Sequence, residues 1–484
     1  MVKLLKYLEE NILSLGIIAL LLFIPLYPKF PLFNVEKTYV AIRIEDFLVA
    51  AIFLVWLILE IKQGWPTFKE ATARYILLYF LAGMISLLSA LLITRVVIPH
   101  LALLHYLRRI EYMSLFFVAF ASVKRKRFVK SFLYTTFLAS IGVFIYGIGQ
   151  KYFNWPVIST MNEEFSKGIV LYLSEWTRIN STFAGHYDLA TYAVLTLALC
   201  LGFIVQAKGK LSKLFGFFFF SILFYLLLLT ASRISFFAYL IMLMSVLFWS
   251  GKKKWIISFV GLSLMVMVLS SELGQRYAAT FKIDLSFLSE KISLKRKKIG
   301  LVVSTLTPTP APIIALGPSG TLPAGLVKEQ PEKTEVGKQA TLSAQGFPAP
   351  ETIEMATQRS GEIRFKVEWP RALRAFIKNP LFGTGYSSVS LATDNDYLRV
   401  LAETGILGFA ALTLIFLEMG KKFIFFIKRR GSGFEKSIAI GIGGAIVGFL
   451  ANAFFIDVFE ASKVAFLFWI FSGFLIGIIN KNPK

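Results

Sequence analysis

The chain has 484 residues, 56% of them hydrophobic and 17% charged, with 48 Phe and a formal net charge of +23. So large an apolar share excludes an ordinary soluble domain. The single cysteine, Cys200, excludes an intrachain disulfide, and the positive charge gathers in short links between apolar runs, which reads as membrane orientation and not as a nucleic-acid partner.

At the N-terminus Lys3 and Lys6 precede an apolar run that only Pro25, Pro28 and Pro31 follow, without a small-residue cleavage site. The first run is therefore read as a retained span. Apolar runs at 12–27, 46–61, 75–93, 101–122, 131–150, 186–206, 214–230, 234–250, 255–271, 398–418, 437–456 and 463–480 predict an all-α integral membrane protein of about 12 transmembrane helices. Basic residues recur in alternate links: Lys62, Lys69 and Arg74; Lys124 to Arg127; Lys208, Lys210 and Lys213; Lys252 to Lys254; Lys421 to Arg430. With Lys481 and Lys484 they set an N-in, C-in topology. Residues 1–271 then hold spans one to nine, 272–397 form one large external loop, and 398–484 hold spans ten to twelve. Within the loop, 295–358 is rich in Pro, Thr, Ala and Gly and reads as a flexible insert. A helix is predicted over 359–378, where Trp369, Leu373, Phe376 and Ile377 recur at helical spacing. Asn379-Pro380 stops it and Gly383-Thr384-Gly385 turns the chain.

Polar residues inside or beside these spans are the candidates for chemistry. Glu45-Asp46 opens span two and reads as a cap. Arg108 and Glu111, with His105 a turn earlier, lie deep in span four; three apart, they read chiefly as a structural pair with a possible place along a donor groove. Arg178, His186 and Asp188 lead from outside into span six: Arg178 is a phosphate or saccharide contact, while His186 and Asp188 taken singly suit an interfacial residue and a cap. Arg233 interrupts a long uncharged stretch at a tight outer turn, and arginine suits bidentate phosphate contact. Arg364 and Arg371 on the outer helix read first as a solvated face. Last comes Thr393-Asp394-Asn395-Asp396-Tyr397, directly before span ten. Thr393 and Asp396 fit a capping box, which leaves at least one carboxylate over for proton transfer. The chain has no glycine-rich phosphate loop and no zinc-ligand spacing, so no cofactor and no metal are predicted.

With those residues in place, the sequence resembles the O-antigen ligase and O-antigen polymerase superfamily of bacterial multi-pass membrane glycosyltransferases. Three stretches carry the resemblance: Arg178 to Ala190, with Thr182-Phe183-x-Gly185-His186; Leu227 to Arg233; and Trp369 to Gly408, with Asn379-Pro380-Leu381-Phe382-Gly383-x-Gly385. It covers about 170–480 well and the earlier spans loosely. The resemblance implies transfer of glycan from an undecaprenyl-diphosphate carrier to a glycan or glycolipid acceptor at the outer face of the cell's inner membrane, in surface polysaccharide synthesis; a single direct displacement, with base and leaving group on opposite sides, predicts a metal-independent inversion. It implies diphosphate contacts at Arg233, Arg178 and Arg364; Asp394, Asn395 and Arg233 are then the expected catalytic residues, and His186, Asp396 and Tyr397 are expected to contact substrate. Ligases of the lipopolysaccharide core carry His-Asn or His-Ser where this chain has Asp394-Asn395, so Asp394 inherits the place of the base. That difference tilts the expectation from ligase towards polymerase. The competing class is a polysaccharide or lipid-linked transporter or flippase without chemistry, which needs polar residues lining a path from both faces.

Overall fold

The computed structural model describes residues 2–35, 41–123, 126–158, 170–173, 178–207, 209–270, 362–389, 392–429 and 433–481. The insert expected over 295–358 lies outside the described residues. Each of the twelve expected spans coincides with a helix: α1 Val2–Leu26, α2 Ile44–Lys62, α3 Ala71–Ser89, α4 Pro99–Ser122, α5 Lys126–Tyr152, α6 His186–Gln206, α7 Lys210–Leu229, α8 Arg233–Trp249, α9 Ile256–Leu269, α11 Asp396–Lys428, α12 Phe434–Asn452 and α13 Ser462–Lys481. The short outer helix α10, Trp369–Lys378, precedes α11 and is itself preceded by a π-helical turn, Ile363–Glu368. Among the described residues, 7 helices are long and apolar enough to cross a membrane: α3 with its extension to Thr94, α5, α6, α7, α11, α12 and α13. The others are short, or like α2 and α4 carry several charges. Strand structure is confined, among the described residues, to two-residue antiparallel ladders, Phe33–Asn34 with Ala41–Ile42 and Val157–Ile158 with Val170–Leu171.

The core forms around α13, buried from Ser462 to Ile479. It lies hard against α4 because Gly473 has no side chain; a methyl group there would sit 2.2 Å from the Phe116 carbonyl oxygen. Small residues also let α12 nest between α6 and α8. Gly448 faces Val194 and Met242, Gly444 faces Val246, and Gly202 faces Ser437. Those contacts make α6 and α8 parallel to each other and antiparallel to α12. The N-termini of α6 and α8 therefore share one end of the bundle with the C-terminus of α12. The Asp396 N–H donates to the Ala453 carbonyl at 2.9 Å, which brings the start of α11 to that same end. At the opposite end, Lys422 and Asn480 both donate to Glu70.

Charge buried near the shared end ties the helices together. Arg108 donates to Asp46 at 2.6 and 2.9 Å, to the Ala41 carbonyl at 2.6 Å and to Glu111 at 2.9 Å. The pairing with Glu111 is the one the spacing predicts. Asp46 also accepts the Arg43 N–H at 2.8 Å, so it does cap α2. Arg109 points the other way, to Glu460 and to the Phe459 carbonyl at 3.0 Å. Lys463 is fully buried and donates to the Thr182 carbonyl at 2.8 Å and to that of Tyr27 at 2.5 Å. Buried cations in such a bundle are tolerated only where carbonyl and carboxylate partners satisfy their donors, as these do.

One span departs from expectation. The apolar pattern suggests a helix over 398–418, whereas α11 runs for 33 residues to Lys428 and is broken at Gly405, whose φ of 65° and ψ of −169° are not helical. The loop after α10 fills the break. Thr384 and Gly385 N–H groups donate to the freed Ala402 and Glu403 carbonyls, both at 2.9 Å, while Ile406 and Leu407 donate to Pro380 and Leu381 at 2.9 and 3.3 Å. A broken helix is stable in an apolar surround when its loose backbone groups are paired in this way.

Candidate functional site

The turn before α11 is held from below by Asp457, in the link between α12 and α13. Its carboxylate accepts the backbone N–H groups of Thr393 at 2.7 Å, Asp394 at 3.1 Å and Asn395 at 3.2 Å, and pairs with Arg399 at 2.8 Å. Three backbone donors converging on one carboxylate force a tight turn, and Asp394 takes a φ of 48° to make it. Asn395 then becomes the N-cap, its side-chain oxygen accepting from Leu398 N at 3.0 Å. The capping box expected from Thr393 and Asp396 does not form. Asp396 instead accepts the Phe459 N–H at 3.1 Å, because the turn has swung its carboxylate towards the α12–α13 link. Tyr397 donates to the Leu450 carbonyl at 2.8 Å and packs on Phe454. Asn395, Asp396 and Tyr397 thus all have visible work in fastening the turn. An Asn395→Ala protein is expected to lose about 1 kcal/mol of stability, the usual worth of a cap, read as a lowered thermal midpoint in detergent.

Asp394 is the residue of the turn left pointing outward, and Arg364 meets it. The Arg364 Nε donates to Asp394 Oδ2 at 2.7 Å; the arginine side chain is 9% exposed and the carboxylate 28%. Arg371 fastens the same segment by donating to the Ala392 carbonyl at 2.8 Å. Arg364 also lies close enough to the Tyr187 hydroxyl for the two to influence each other's charge. The neighbouring His186 lies against the Tyr187 ring, centroids 4.1 Å apart, and accepts at Nε2 from Arg178. That acceptor role requires the neutral imidazole with its proton on Nδ1. Arg178, His186, Tyr187, Arg364 and Asp394 therefore form one continuous polar cluster. Arg233 begins α8 at the same end of the bundle, half-buried, after a turn in which Ala231 has a φ of 48° and Ser232 caps the helix.

Burial is the largest influence on the charged groups of the cluster. Burial raises the Asp394 pKa; the Arg364 guanidinium opposes that shift and the Asp457 carboxylate adds to it. Burial works against the charge of Arg364, but Asp394 and Tyr187 more than offset it, so its pKa is raised and it stays a cation. Glu368, one turn after Arg364, has its pKa pushed up to about 7 by burial first and then by Asp394 and Asp457.

The sequence reading passed over Asp457, Tyr187 and Glu368. Asp457 had a usable signal, since Asp457, Glu460 and Lys463 crowd a short link between two apolar runs. Arg399 and Glu403, four apart in an apolar helix, offered a similar one. Tyr187 had none, being one aromatic among many.

Residues 216–413 match the profile of a family described as O-antigen ligase. No curated protein matches the chain.

Proposed function

We propose, from the match of residues 216–413 to the O-antigen ligase family, that the chain is a membrane glycosyltransferase of the ligase or polymerase type. It takes a glycan from a polyprenyl-diphosphate carrier and joins it to a hydroxyl of an acceptor glycan or glycolipid, at the outer face of the inner membrane. The basic links between apolar runs, which favour both termini inside, support that orientation. The observation that carries the reading is the Arg178–His186–Tyr187–Arg364–Asp394 cluster at one end of an apolar bundle: cations for a diphosphate beside a carboxylate for a hydroxyl.

The reaction needs no nucleotide, because the diphosphate already activates the donor. The acceptor oxygen attacks the anomeric carbon while the bond to the diphosphate breaks, and the bonding electrons leave with the phosphate. Arg178, Arg364 and Arg233 stabilise the charge that grows there, the contribution that usually dominates such rate enhancements. Asp394 orients or deprotonates the acceptor hydroxyl. A single displacement with base and leaving group on opposite sides inverts the anomeric centre.

Purified protein in liposomes, given a polyprenyl-diphosphate oligosaccharide, tests this. Lengthened lipid-linked glycan identifies a polymerase, favoured by Asp394 standing where ligases show His, and transfer to a different acceptor identifies a ligase. Movement of the lipid-linked glycan across the bilayer without any new glycosidic bond refutes the proposal.

A further inference from the structure

Arg364, Glu368 and Arg371 recur at intervals of four and three along one helical segment, the spacing of a single face. Both flanking arginines are bonded to the turn before α11, Arg364 to Asp394 and Arg371 to the Ala392 carbonyl. Glu368, between them, must face the same turn. Its nearest charged neighbours bear this out: Asp394 and Asp457 on one side, Arg364 and Arg371 on its own segment. Glu368 is 9% exposed, and its Oε2 is buried without a hydrogen-bond partner among the described residues. Asp394, by contrast, has its Oδ2 engaged by Arg364. A carboxylate oxygen bonded to a guanidinium is a poor proton acceptor, while an unpaired buried one lacks only a donor.

We infer that Glu368 is the group that takes the acceptor's hydroxyl proton, and that Asp394 acts as a positioning residue between it and Arg364. This rests on the glycosyl-transfer reading above and names the base within it. In the balanced step, the acceptor O–H proton moves to Glu368 Oε2 as the acceptor oxygen bonds the anomeric carbon. The diphosphate leaves with the electron pair of the broken C–O bond, and Glu368 later returns the proton to water. Burial and the two neighbouring carboxylates hold Glu368 near neutrality, where a group accepts and releases a proton with equal ease.

The experiment compares full-length wild type, Glu368→Gln and Glu368→Asp in liposomes with a polyprenyl-diphosphate oligosaccharide, measuring kcat and KM from mildly acidic to mildly alkaline solution. A base works deprotonated, so wild-type kcat is expected to rise through about pH 7. Glu368→Gln is expected to lower kcat by about 100-fold or more, leave KM within a few fold and abolish the rise. Glu368→Asp keeps the carboxylate and should restore part of kcat together with the rise. Wild-type kcat with an unchanged pH profile in Glu368→Gln overturns the inference while leaving the glycosyl-transfer reading intact; absence of any product from wild type overturns that reading instead. Should Glu368→Gln fail to accumulate, Glu368→Asp decides, because withdrawing the carboxylate by one methylene must slow proton transfer, and an unaltered kcat there also overturns it.

Discussion

Arg364→Ala is expected to lower kcat/KM for glycan transfer by about 100- to 1000-fold, the usual loss when one charge-stabilising donor is removed from a preorganised site. Two interactions vanish together, the Nε bond to Asp394 and the electrostatic interaction with the Tyr187 hydroxyl. The first orients the carboxylate; the second couples the turn before α11 to the start of α6, where Arg178 and His186 lie. Arg364→Lys should recover little, since a lone ammonium cannot hold a carboxylate and a phenol in the fork geometry of a guanidinium and still meet a phosphate. Transfer assays on membranes with matched protein levels read this directly. Wild-type transfer in Arg364→Ala would remove Arg364 from the mechanism, and with it the reason for grouping Asp394 with Arg178 and His186.

Gly405→Ala is expected to be the most damaging single substitution outside the polar cluster. Its φ of 65° with ψ of −169° lies in a region essentially reserved for glycine. An added Cβ would also meet the Leu381 carbonyl oxygen at 2.4 Å and the Gly383 nitrogen at 2.6 Å. Both are backbone atoms in the loop that seals the break, so neither can yield without losing the four hydrogen bonds there. Conformational strain of about 1–3 kcal/mol adds to that clash, and one substitution of this size removes much of a typical stability margin. The expected result is a strongly lowered thermal midpoint and little transfer at growth temperature. Gly420→Ala is the control: it lies further along α11 with nothing within 4 Å of a new Cβ, and should be neutral or slightly stabilising. Equal midpoints for the two variants would contradict the account of the break.

The helices were legible because a membrane imposes a simple rule on sequence, and all twelve apolar runs fall on helices. The break in α11 was not legible, since helix-compatible residues continue on both sides of Gly405 and a lone glycine is common in such helices. Arg178, His186, Arg364 and Asp394 could each be picked out as polar residues close to spans. Their contacts could not, because Arg364 and Asp394 meet across 30 residues and neither sits in a motif that names the other. Asp457 acts 62 to 64 residues away from the turn it shapes. It also explains why the predicted capping box fails: capping boxes are local, and here a distant carboxylate gathers the local donors first. Glu368 shares a face with Arg364 and Arg371 on any helical wheel, but a carboxylate between two arginines reads as a solvated face until the turn before α11 is seen packed against it.

The discontinuity at Gly405 has a mechanical meaning for an enzyme that works at a lipid surface. A helix of 33 residues is longer than a bilayer core needs, and such helices tilt as lipid thickness changes. In an unbroken rod, that tilt would sweep Asp394 across the membrane plane relative to Tyr187 and Arg178. The joint at Gly405 separates the lipid-facing shaft from the short outer piece, which is clamped to Asp457 and to the loop after α10. On the proposed mechanism, such a joint would insulate the reaction geometry from the thickness and composition of the membrane in which the shaft is embedded.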